Sequence, residues 1–137
     1  MVKIALVVPC ENFIADAAQI LSQHNQFHEQ EDSETYVMDE IIMNNSDTGH
    51  VQIDADIILT RGLLAQILAN LPGDIPVVRI SVPTADILRT IRKCTQLYGQ
   101  KQIGIIAAGN MLAGITGLAD RCDAPIQTYL LSPNWNN

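Results

Sequence analysis

The stretch Ile57–Gln66, IILTRGLLAQ, joins two apolar runs through a threonine, an arginine and a glycine. The first run has the β-branched, apolar composition of a buried strand. The second run repeats its apolar residues at helical spacing, at Leu63, Leu64, Ile67 and Leu68. A buried strand that turns directly into a helix is the repeating unit of α/β proteins, so this stretch predicts that fold class.

Further strands are predicted on both sides of this corner. The apolar run VKIALVV (2–8) is typical of a strand buried on both faces. Three more apolar runs predict strands: PVVRISV (76–82), QIGIIAAG (102–109) and APIQTYLLS (124–132). The segment TYVMDEIIM (35–43) fits a helix or a strand, and its β-branched and aromatic content favours the strand. Repeated apolar strands with helices between them predict a parallel sheet with right-handed crossovers.

Helices are predicted between these strands. Apolar residues recur at helical spacing over 13–21 and over 87–98, where Thr84 is the predicted cap and Gly99 the stop. A further helix is predicted after a cap at Asn110, with an apolar face formed by Met111, Leu112, Ile115, Leu118 and Cys122.

Two polar segments predict connections without regular structure. HNQFHEQEDSE (24–34) breaks the helical pattern and has the composition of a solvated loop. NNSDTGH (44–50) has the composition of a turn. The connection before Asp54 is too short and too rich in turn residues for a helix.

Composition narrows the class of protein. The chain has 137 residues, 47% of them hydrophobic, which suits one compact domain with a core. Residues 1–60 carry one lysine against eleven acidic residues, and the net charge is −7, so direct nucleic-acid contact is not expected. The chain has no apolar run near the ~20 residues that cross a bilayer. Its three cysteines, Cys10, Cys94 and Cys122, include no close pair. These features indicate a cytoplasmic protein without membrane contact.

Polar or turn residues follow the predicted strands, where parallel sheets bind ligands and helix N-termini attract anions. A cleft at this rim would take a small anionic metabolite, a carboxylate or a phosphate ester, with Arg61 forking onto it. The alternative is that these residues are helix caps and a surface cation. The predicted ligand-binding residues are Cys10, Glu11, Thr60, Arg61, Gly62, Ser81, Pro83, Thr84, Gly109 and Asn110.

Three segments carry a resemblance to a known family. DADIILTRGLLAQIL (54–68), IPVVRISVPTADILRTIRKCTQLYG (75–99) and QIGIIAAGNM (102–111) resemble the N-terminal sensor domain of the propionate catabolism activator family. Order and spacing match over about 55–111. Such domains precede an AAA+ ATPase and a helix-turn-helix module in enhancer-binding activators that depend on an alternative sigma factor.

The resemblance implies an architecture and a function. The architecture would be two α/β lobes, each flavodoxin-like or periplasmic-binding-protein-like, with residues 1–98 as the first lobe and 99–137 as the truncated beginning of the second. The function would be a non-enzymatic sensor that binds its effector and controls the attached ATPase and DNA-binding modules. ATP and DNA binding would belong to those downstream domains, and a homo-oligomer is expected.

Other readings remain open at this point. Cys10 follows the first strand, where phosphocysteine enzymes place their nucleophile, but CENFIAD (10–16) lacks an arginine five residues on and a glycine or serine cradle. A phosphotransfer or phosphatase-like domain is therefore a less favoured alternative, and a dimerisation module without ligand is another. His24 and His28 have i, i+4 spacing and acidic neighbours, but they fall where a helix end runs into an acidic loop, so solvated histidines are favoured and no metal is predicted. The chain has no P-loop or GxGxxG, so no cofactor is predicted.

Overall fold

A computed structural model describes most of the chain in two compact units, Met1–Ile80 and Ser81–Asn137. Each unit combines parallel strands with helices, which confirms the predicted α/β fold class. The division into lobes after residue 98 stays a prediction. None of the helices in the described part of the chain has the length and composition needed to cross a bilayer. The described residues are 1–28, 34–44, 51–112, 117–122 and 124–132.

The first unit is built on a four-stranded parallel sheet. It consists of β1 (Val2–Val8), β2 (Tyr36–Ile42), β3 (Ile57–Arg61) and β4 (Val77–Ile80). The strands pair in the order β2-β1-β3-β4. The chain therefore reverses its direction across the sheet between β1 and β3, and this switch point is where open α/β sheets form ligand crevices.

The centre of the core is β1. Leu6, Val7 and Val8 are fully buried, and since neighbouring residues on a strand point to opposite faces, β1 is covered on both sides. One face packs against α2 (Gly62–Ala69), the helix predicted after the Thr-Arg-Gly corner. The buried residues of this cluster are Ala5, Val7, Met43, Ile58, Leu64 and Leu68.

The helix that follows β1 is longer than predicted. A short 3₁₀ turn at Glu11–Phe13 leads into α1 (Ile14–His28), so the loop prediction was wrong for 24–28. Asn25 explains the extension, because its Nδ2 donates to the carbonyl of Tyr36 at 2.9 Å and its Oδ1 accepts from the amide of Tyr36 at 3.2 Å. The last turns of α1 thus bind the start of β2 through polar side chains.

The connection from β2 to β3 has no helix in its described parts, 43–44 and 51–56. Residues 45–50, which make up most of the predicted turn segment, lie outside the described residues. Ile53 and Ala55 pack against the core cluster. Lys3 pairs with this segment and with β2: its Nζ lies 2.9 Å from a carboxylate oxygen of Asp54 and 3.3 Å from one of Asp39. The hydrogen bonds to Asp54 and Asp39 raise the pKa of Lys3 above its ordinary value.

The second unit contains α3 (Thr84–Tyr98), a parallel pair of β5 (Ile103–Ala108) and β6 (Ile126–Leu131), and the short α4 (Leu118–Arg121). Ile91 on α3 is its buried centre and packs against apolar residues of both strands. Gly99, at φ 75°, ends α3 as predicted, because glycine reaches positive φ without strain.

Two cap predictions in this unit were wrong. Pro83, with an extended backbone, is the N-cap of α3, and its carbonyl accepts the amide of Asp86 at 3.0 Å, so Thr84 is the first helical residue. Asn110 lies inside a 3₁₀ turn, Gly109–Met111, in place of capping a long helix. Gly117 takes a left-handed conformation at φ 87°, which breaks the predicted helix before α4. The predicted face residue Ile115 lies outside the described residues.

Candidate functional site

The carboxyl ends of β1 and β3 bring half of the predicted site together. These strands are neighbours, with Val7 in register with Thr60. The loop after β1 carries Cys10 and Glu11, and the end of β3 carries Arg61 and Gly62. Five of the ten predicted residues therefore lie on one edge of the sheet, at the switch point of the first unit.

Arg61 is the most distinctive side chain of this edge. Its guanidinium carbon lies 4.4 Å from the ring centroid of Phe13, at the end of the 3₁₀ turn after β1. Arg61 is half-buried, and within the described ranges no carboxylate lies within 4.0 Å of it. A guanidinium that packs on an aromatic ring and has no acidic partner can pair with an incoming anion.

Gly62 allows the chain to turn at this point. Arg61 is extended, at φ −141° and ψ 166°, and Gly62 follows at φ 60° as the first residue of α2. A side chain at this backbone angle would be strained. The glycine therefore lets β3 pass into α2 with no intervening loop, and Arg61 is held between two regular elements.

Thr60 has a different environment. Its side chain is fully buried, and its Oγ1 has no hydrogen-bond partner among the residues that the structure describes. Direct contact between this hydroxyl and a ligand at the surface would require a rearrangement, so its predicted part in binding stays a prediction.

The buried hydroxyl predicts an effect on stability. We expect Thr60→Val to raise the free energy of unfolding by about 1 kcal/mol, because valine has nearly the same shape and removes an unsatisfied polar group. Urea unfolding of the wild type and the variant measures this difference. Thr95→Val is the control, since Thr95 Oγ1 donates to the carbonyl of Ile91 at 3.1 Å. A lower free energy of unfolding in Thr60→Val would instead show that the Thr60 hydroxyl has a partner.

Cys10 and Glu11 are exposed next to Arg61's edge of the sheet. Cys10 is a free thiol that precedes the 3₁₀ turn, and that turn has only three residues. Glu11 places a negative charge in the same turn, which disfavours a phosphate bound at Cys10. The short turn and the charge of Glu11 therefore favour Arg61 over Cys10 as the residue that contacts an anion.

The other five predicted residues belong to the second unit. Ser81, Pro83 and Thr84 lead into α3, and Gly109 and Asn110 form the 3₁₀ turn after β5. A groove of about 360 Å³ runs between the first turns of α3 and β5, and its lining is mostly apolar. The part that these five residues of the second unit take in ligand binding stays a prediction.

A larger cavity, of about 560 Å³, lies at the opposite end of the first unit. Residues 51–54, the end of α2 and the turn before β4 line it. Most of these side chains are apolar, and the charged Asp54 is paired with Lys3. Because the described lining is mostly apolar and contains none of the predicted ligand-binding residues, we place the candidate site at the Arg61 edge.

The sequence interpretation missed Phe13. Its spacing with Ile14 and Ala17 is that of a helical core face, and nothing local indicates a contact with Arg61. Only the strand order could have indicated this contact, because adjacent β1 and β3 bring the segment CENF (10–13) beside TRG (60–62).

The prediction that the histidines hold no metal stays a prediction, because the side chain of His28 and residues 29–33 lie outside the described residues. His24 packs edge-on against Tyr36 with ring centroids 5.4 Å apart. Within the described ranges, no group of three His, Cys, Asp or Glu side chains could hold a metal ion.

Comparison with known proteins identifies one family. The sequence profile described as the propionate catabolism activator, an N-terminal domain, matches residues 46–135. The match covers the Arg61 corner, α3 and both strands of the second unit. No curated protein and no solved structure gives a significant match.

Proposed function

Because this chain belongs to the propionate catabolism activator family, we propose that it is the effector-sensing domain of a transcriptional activator. It binds a small anionic metabolite at the carboxyl edge of its first sheet. Binding controls an attached AAA+ ATPase and DNA-binding module, which are expected in the full-length protein. The domain itself acts by binding and not by catalysis.

The observation that carries this proposal is the environment of Arg61. An arginine at the switch point of a parallel sheet, held by Phe13 and without a carboxylate partner in the described part of the chain, is suited to bind an oxyanion. The surrounding unit is acidic, since residues 1–60 carry eleven Asp and Glu side chains. A local cation is therefore needed to attract an anion to this surface.

The family name supports a carboxylate as the ligand class. Propionate is a short-chain carboxylate, and its breakdown passes through carboxylates. A guanidinium binds a carboxylate through two parallel hydrogen bonds, which gives orientation as well as affinity. A phosphate ester offers the same pair of oxygens and is the second class to test.

Calorimetric titration of the 137-residue chain tests the proposal. The titrants are succinate, citrate, inorganic phosphate and glucose 6-phosphate, and at least one is expected to bind at a single site. Cys10→Ser is expected to bind equally well, because the thiol is not the anion contact. Loss of binding in Cys10→Ser, or a phosphorylated cysteine trapped by mass spectrometry after incubation with a phosphodonor, would favour the phosphotransfer alternative instead.

We also propose that the chain self-associates through the second unit. Three large apolar side chains of β5 and β6 are exposed: Ile106 at 69%, Leu130 at 63% and Tyr129 at 50%. Neither strand contains the charged residues that usually protect a sheet edge from pairing with another chain. Sedimentation velocity across micromolar concentrations measures this, and a monodisperse monomer throughout would contradict it.

A further inference from the structure

Phe13 and Arg61 form a contact that has consequences for anion binding. The guanidinium carbon lies over the ring at 4.4 Å, which is close enough for a cation–π interaction. A π face attracts the cation through its quadrupole and offers no oxygen atom to it. The N–H donors are therefore not consumed as they would be by a carboxylate.

Both partners are attached to regular structure. Phe13 ends the 3₁₀ turn and directly precedes α1, and Arg61 ends β3 and directly precedes α2. The contact joins the turn after β1 to the junction of β3 and α2 at the switch point. A long, flexible arginine side chain is thus confined before any ligand arrives, and confinement lowers the entropy lost on binding.

The charge balance of the contact favours an anion. Phe13 is uncharged, and no carboxylate of the described residues lies within 4.0 Å of Arg61. An incoming anion therefore has no internal acid to displace. Half-burial of both side chains also reduces the competition from water.

We propose that Phe13 is a positioning residue, which holds the Arg61 guanidinium ready for an oxyanion that presents two oxygens. This inference rests on the proposed function, because it concerns the same site. Phe13 acts through Arg61 and does not itself contact the anion. Its removal should therefore lower affinity without changing which anions bind.

A double-mutant cycle on the full chain tests the proposal. We expect Phe13→Leu to weaken binding of citrate or inorganic phosphate about threefold to tenfold, and Phe13→Tyr to restore it. In an Arg61→Ala background, Phe13→Leu should have no further effect. An equal effect of Phe13→Leu in both backgrounds, or wild-type affinity in Phe13→Leu, would overturn the positioning role.

A second measurement does not depend on a ligand. Protons of the Arg61 side chain above an aromatic ring should show an upfield ring-current shift by NMR, and Phe13→Leu should abolish it. If the shift is present but no probe binds the wild type, the proposed function fails while the contact itself stands. If the shift is absent, Phe13 does not hold Arg61, and the inference fails even where anions bind.

Discussion

Replacing Arg61 with alanine is expected to weaken binding of a di- or tricarboxylate about tenfold to a hundredfold. A hydrogen-bonded charged contact contributes roughly 1.5–3 kcal/mol, and alanine removes both the charge and the donors. Folding should change little, because Arg61 has no ion pair among the described residues. In the free protein the variant loses the contact with Phe13.

Titration calorimetry and thermal unfolding of the same samples measure these two effects. Arg92→Ala is the matched control, since Arg92 is exposed on α3 and its removal changes the net charge equally. Arg61→Lys keeps the charge but loses the paired N–H donors of the guanidinium, so this variant should bind the anion more weakly than the wild type. If Arg61→Ala binds normally yet melts far lower, Arg61 is a structural residue and the candidate site is misplaced.

Leu64→Ala is expected to lower the free energy of unfolding by about 2–5 kcal/mol. Leu64 is 2% exposed, in the first turn of α2, and packs in the cluster with Val7 and Ile58. Truncation removes buried apolar atoms and leaves a cavity that the sheet and helix cannot fully close. Since a domain of this size is stable by about 5–15 kcal/mol, the loss is a large fraction of the total.

Urea unfolding measures this loss. Leu97→Ala is the control, because Leu97 is also a helical leucine but is 65% exposed, and its truncation should cost about 0.5 kcal/mol or less. If Leu64→Ala does not fold, Leu64→Val gives a smaller truncation at the same position. Equal stability of the buried and the exposed leucine variants would contradict the packing of α2 described above.

The fold was predictable wherever apolar pattern and burial agree. Each strand that the sequence indicated is present, because continuous apolar runs such as Leu6–Val8 have nowhere to lie except inside a sheet covered on both faces. The end of α1 was missed because it depends on Asn25, whose side chain binds the backbone of Tyr36 at the start of the next strand. The long helix predicted after Asn110 was wrong in its described parts, because Gly109–Met111 form a 3₁₀ turn and Gly117 has a positive φ.

The candidate site was predictable to the level of the sheet edge. The residues after β1 and β3 were identified because parallel strands present their carboxyl ends together. The role of Phe13 could not be read from sequence, since it depends on how a turn after β1 meets the end of β3. The burial of Thr60 was equally hidden, because a hydroxyl next to an arginine in sequence suggests a surface position.

The central position of β1 also determines when the sheet can form. Its register partners belong to β2, where Val7 faces Ile41, and to β3, where Val7 faces Thr60. As the chain grows from its N-terminus on the ribosome, β1 is made first, and pairing with both neighbours must wait until β3 has emerged. Parallel pairing between distant segments is slow, because the loops must close before the contacts form. The most apolar strand of the unit therefore waits for its second partner until β3 has emerged, and during that interval chaperone binding and misassociation compete with folding.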